Sequence, residues 1–68
     1  MKKMKLIEII RAINTGKIKI EQIANAKGEL ENEIAACVEV IKDKETEFHI
    51  REEYKTKLIV YTKLFNKI

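Results

Sequence analysis

The sequence predicts an all-α fold: a short N-terminal amphipathic helix, then a long antiparallel helical hairpin, assembled as a helical-bundle homo-oligomer. Three observations predict it. One apolar stripe holds helical phase from Ile20 to Ile41, and a second from Ile50 to Ile68. Only the polar stretch Lys42-Asp43-Lys44-Glu45-Thr46 separates them, so the two segments fold back on each other. The third observation is size: 68 residues with one cysteine leave little core and no internal staple.

The first helix is expected over about 3–14. Leu6, Ile7, Ile9, Ile10 and Ile13 fall within roughly 160° of a helical wheel. Asn14-Thr15-Gly16 ends it, because Gly16 can take the left-handed conformation that closes a helix. Lys17-Ile18-Lys19-Ile20 alternates, and reads as an extended link, a short strand or the first turn of the next helix.

The second helix is expected over about 20–42. Ile20, Ile23, Ala24, Leu30, Ile34, Cys37, Val38 and Ile41 share an arc of roughly 140°. The spacing is heptad-like, with Lys27 as the misfit. Glu21, Asn25, Glu29, Asn32, Glu39 and Asp43 form the opposite face. Gly28 costs about 1 kcal/mol inside a helix relative to alanine. It marks either a break or a place where another backbone comes close.

The third helix is expected over about 47–67, with Thr46 as its N-cap. Ile50, Tyr54, Leu58, Tyr61, Leu64, Phe65 and Ile68 lie within roughly 120°. The same segment has a strand reading, since Phe48, Ile50, Tyr54, Thr56, Leu58, Val60 and Leu64 share one parity. No Gly, Pro, Asn or Asp between Thr46 and Phe65 could turn a hairpin, so helix is preferred.

The chain is read as one small helical domain over 1–68. A core this small supplies roughly 3–5 kcal/mol of net stability, so a staple is expected. Cys37 has no disulfide partner, and one Cys with one His (His49) makes no protein-only zinc site. No metal or cofactor is therefore expected. A second copy is, as a homodimer or higher oligomer.

The lone cysteine fits a reducing compartment, and a cytoplasmic location is expected. Glu8 and Arg11 interrupt what would otherwise resemble a signal sequence after Met1-Lys2-Lys3-Met4-Lys5. No apolar run approaches the ~18 residues of a membrane span. The basic first helix could lie on a membrane surface, but its apolar arc has a nearer partner in the hairpin. Lysine and isoleucine, twelve of each, fit an AT-rich bacterial or phage genome.

Charge is ordered along the chain. Residues 1–20 carry six positive charges and one negative; residues 21–53 carry four positive and ten negative; residues 54–68 carry four positive. Basic ends flanking an acidic middle are read first as complementarity within or between subunits, and second as phosphate-binding ends.

Gln22-Ile23-Ala24-Asn25-Ala26-Lys27-Gly28-Glu29-Leu30, followed by Ile34, Cys37 and Ile41, resembles a helix-turn-helix. The resemblance implies a small Ala at the helix crossing, Gly at the turn and later apolar residues seating a recognition helix. With a strand near Lys17–Ile20 and paired strands after Thr46, it implies a winged-helix DNA-binding transcriptional regulator. The stripe, however, keeps phase through Gly28. The implied recognition helix also carries Glu29, Glu31, Glu33 and Glu39 with no positive charge before Lys42, which repels phosphate.

Catalysis is not expected. The chain has no serine. Cys37 sits on the apolar stripe with no base one turn away to activate it, so it reads as a structural thiol. His49 reads as a surface histidine or a pH-sensitive contact. Glu29, Glu33, Glu52 and Glu53 form a solvated face, and two isolated glycines cradle no phosphate.

The expected function is therefore that of a small non-enzymatic protein-interaction module, self-associating and acting as a regulator or inhibitor of another protein. Tyr54, Tyr61 and Phe65 share a stripe with Leu58 and are read first as hairpin core; Ile50, Tyr54, Leu58, Tyr61 and Phe65 are also the candidate interface, since tyrosine offers large area and a polar tip. Phe48, Ile59 and Val60 lie off that arc and point to a second contact surface. The alternative is the DNA-binding regulator, with Lys2, Lys3, Lys5, Lys17 and Lys19 as candidate nucleic-acid contacts.

Overall fold

A computed structural model describes residues 4–68; Lys2 and Lys3 of the candidate basic set lie outside the described residues. Three helices follow in order: α1 (Leu6–Asn14), α2 (Ile20–Lys42) and α3 (Phe48–Asn66). α2 and α3 pack as an antiparallel hairpin, and α1 lies against both. No strand occurs among the described residues.

The local chemistry explains each boundary. α1 closes with a Schellman turn: Lys17 N–H donates to the Ala12 carbonyl at 2.9 Å, and Gly16 N–H to that of Ile13 at 3.2 Å. Gly16 holds φ +67°, which a side chain would oppose. Thr15 Oγ1 donates to the Arg11 carbonyl at 2.8 Å. Residues 17–19 are an extended link, and α2 begins at Ile20. There Gln22 Oε1 accepts the Lys19 N–H at 3.0 Å, satisfying a donor that the helix start leaves free.

α2 then runs unbroken through Gly28. Within one chain neither reason advanced for that glycine holds. The helix does not break, and a Cβ built there meets nothing within 4 Å. Between the long helices, Asp43 Oδ1 accepts the Glu45 N–H at 2.9 Å, and the Thr46 N–H reaches the Asp43 carbonyl at 3.2 Å. The helix then starts one residue later than expected: the N-cap position of α3 is Glu47 rather than Thr46, and it makes no side-chain cap hydrogen bond.

The core gathers at the open end of the hairpin. Ile9 and Ile13 of α1, Ala26 and Leu30 of α2, and Leu64 of α3 are buried together. Met4, Leu6, Ile10, Ile18, Tyr61, Phe65 and Ile68 pack around them. Burying each Ile or Leu contributes about 1.5–3 kcal/mol. Towards the hairpin bend Cys37 is the one further buried apolar residue among those described.

The apolar stripe of α2 is turned relative to expectation. Ala26, Leu30 and Cys37 lie within about 40° of each other on the wheel, and Ile20 lies about 100° from their centre. Ile20 is accordingly 88% exposed, and Ala24 is exposed too. Ile9 and Ile13 of α1 pack with Ala26, so that side of α2 is covered and the side of Ile20 is not.

Candidate interaction surface

The five α3 residues expected to form an interface occupy the groove between α3 and α2. Ile50, Tyr54, Leu58, Tyr61 and Phe65 are all half-buried. Tyr61 and Phe65 pack against the core. Lys27, the misfit of the α2 heptads, lays its ammonium 5.7 Å from the Phe65 ring centroid. Its stem covers apolar surface while its charge meets the ring face. Lys57 Nζ stands 4.6 Å from the centroid of Tyr54.

Midway along the hairpin, Glu33, Cys37, Tyr54, Lys57 and Tyr61 are near enough to influence one another's charge. Burial pushes the Cys37 thiol up; Glu33 adds to the rise, and Lys57 opposes it. Burial likewise raises Tyr61, with Glu33 again contributing. The arrangement keeps Cys37 protonated at neutral pH, so it lacks the thiolate that nucleophilic chemistry needs.

His49 lies on the surface, its Nδ1 3.4 Å from Glu47 Oε2, with both side chains 71% exposed. Lys55 Nζ pairs with Glu52 Oε1 at 3.2 Å along the exposed side of α3. Among the described residues no group of three His, Cys, Asp or Glu is placed to hold a metal ion. Nor, among them, is any helix long and apolar enough to cross a membrane.

The basic residues divide. Lys5, Lys17 and Lys19 are exposed. Lys17 and Lys19 line a groove of about 340 Å³ between α1 and the start of α2, together with Glu8, Arg11, Thr15 and Gln22. Lys5 stands outside that lining. Arg11 is the member that sequence reading missed, because it was assigned to the helix rather than to the basic set. Its signal was available: Arg11 precedes the Gly16 turn, which folds the following lysines back beside it.

Among the described residues the exposed large apolar ones are Ile7, Ile20, Phe48, Ile59 and Val60. On the wheel of α3, Phe48 and Ile59 lie on one flank of the α2 contact and Val60 on the other. The hairpin thus has two long faces. α1 covers part of one, on the side of Ala26 and Leu64. On the other, Ile34, Val38 and Ile41 of α2 run beside Leu58 and Phe65 of α3, all half-buried. No protein-family model matches the chain, and no curated protein or solved structure matches it either.

Proposed function

We propose that this chain is a non-enzymatic helical interaction protein whose working form is self-associated, and that it regulates or inhibits another protein through its helical faces. One observation carries the reading: the fold leaves too much surface in water. The accessible surface is 5244 Å². A compact folded chain of 8.0 kDa exposes about 4,450 Å². The surplus is about 800 Å², roughly a sixth of the expected total. The radius of gyration, 13.1 Å, likewise exceeds the ~11 Å of a compact domain of this length. Elongation, large exposed apolar residues and a core confined to one end all favour a partner chain over independent function.

The DNA-binding alternative needs a turn at Gly28 and paired strands after Thr46. α2 continues through the first, and α3 occupies the second as helix. The basic groove at Arg11, Lys17 and Lys19 remains, but Glu8 shares it.

Sedimentation velocity across a concentration series tests the proposal. Mass at or above twice the 8.0 kDa of one chain is expected at micromolar concentration. A single 8.0 kDa species throughout would contradict self-association. Steeply salt-dependent DNA binding by that monomer would favour the alternative instead.

A further inference from the structure

Folding turns the basic–acidic–basic order of the sequence into a two-ended charge distribution. The hairpin brings α1, the start of α2 and the end of α3 to one end of a molecule 40 Å long. Seven of the ten acidic residues of the middle stretch are folded to the other end. Among the described residues, the open half (4–31 and 58–68) carries seven basic and four acidic side chains. The loop half (32–57) carries five basic and seven acidic. The two halves therefore have opposite net sign.

The face opposite α1 joins these ends. Ile34 and Val38 of α2 lie about 80° and 120° round the helix from Ala26, beyond the seam from α1. Leu58 and Phe65 of α3 lie about 120° and 100° round from Leu64, on the corresponding side. Because the helices are antiparallel, these flanks fall on the same long face. All four residues are half-buried. Ile20 extends the row at the open end, 88% exposed.

We propose that two copies pack antiparallel through this face, so that the basic end of each lies over the acidic end of the other. The inference rests on the self-association reading above and adds its surface and direction. The charge distribution selects a second copy as the occupant. An antiparallel two-fold places ends of opposite sign together, whereas a parallel one sets like against like. In the antiparallel pair α2 stacks along the partner's α2, end to end.

The test uses the full chain with Lys42→Cys, an exposed position at the bend, carrying a spin label. The buried Cys37 remains unlabelled. Pulsed dipolar spectroscopy on the dimer reads the direction. An antiparallel pair places the labels about 33 Å apart, from 22 residues at ~1.5 Å rise. A parallel pair places both at the same end, under about 20 Å, and would overturn the direction while leaving self-association standing. Val38→Glu tests the face: loss of the dimer with helical circular dichroism retained is the expected result. A dimer as tight as the unsubstituted one would overturn the face. If Val38→Glu fails to fold, the label distance still decides. A monomer at every concentration would overturn both this inference and the reading beneath it, leaving the face to a different partner.

Discussion

The two halves of the hairpin use the same helices and reach different results. At the open end α1 lies across α2 and α3, and five side chains from three helices are buried together. At the bend α2 and α3 meet alone, and only Cys37 is buried among the described residues. Two helices share a line of contact, and side chains on either side of that line keep one flank in water. A third helix closes the flank. The nine residues of α1 therefore convert a half-wet seam into a core, and the loop half shows the seam without that cover.

Substitutions should reproduce this asymmetry. Leu30→Ala, at the open end, is expected to cost about 2–5 kcal/mol. That is comparable to the whole net stability of a chain this size, roughly 3–5 kcal/mol, so the variant should be largely unfolded by circular dichroism at 25 °C. Cys37→Ala, at the bend, removes only one small buried atom and should cost about 1 kcal/mol. Equal losses in urea melts would erase the distinction between the halves.

The two glycines sharpen it next. Gly16 seats α1 through a left-handed turn, so Gly16→Ala should destabilise by about 1–2 kcal/mol. Gly28 sits in mid-helix with open space around its Cβ position. Gly28→Ala should therefore stabilise, by about 0.5–1 kcal/mol. The opposite signs are the point: one glycine positions the covering helix, and the other serves no backbone need visible in the monomer.

Alkaline pH should produce the smallest effect, and it belongs to the middle of the hairpin, where Cys37 and Tyr61 influence each other. The Cys37 thiol and Tyr61 hydroxyl are both raised, chiefly by burial. A raised group holds its proton more tightly when folded. Its contribution is complete below the unfolded value, about 8.5 for a thiol and 10 for a tyrosine, and is lost as pH rises through the folded value. Stability should stay level from pH 7 to about 8, then fall above about 9. Cys37→Ala should remove the earlier part of that fall. A flat melting temperature to pH 11 would mean that neither group is held in the dry seam.

Much of this fold was legible in the sequence, and the reasons are local. The apolar period gave the helices, the polar stretch Lys42–Thr46 gave the hairpin, and Asn14-Thr15-Gly16 gave the end of α1. What escaped were the features set by tertiary placement. Ile20 and Ala24 fit the stripe of α2 on a wheel, yet both are exposed, because a wheel cannot show which flank α1 will cover. Ala26 lay outside the predicted arc and is fully buried for the same reason. The N-cap of α3 fell at Glu47, one residue after Thr46, a shift that the loop geometry decides and residue type does not. At the candidate surfaces, the shared stripe of Tyr54, Tyr61 and Phe65 pointed first to hairpin core, and all three are half-buried. Arg11 shares a groove with Lys17 and Lys19, a placement that the Gly16 turn between them signals and that was passed over because Arg11 was assigned to the helix.

The central claim is that the loop half is incomplete in one chain and completed by a second. Native-state hydrogen exchange at two protein concentrations tests it directly. In dilute solution, amides of 33–41 and 50–58 should exchange much faster than those near Ile13, Leu30 and Leu64. At high concentration the loop-half amides should gain protection while the open-end amides gain less. Equal protection in both halves, unchanged by concentration, would contradict the account.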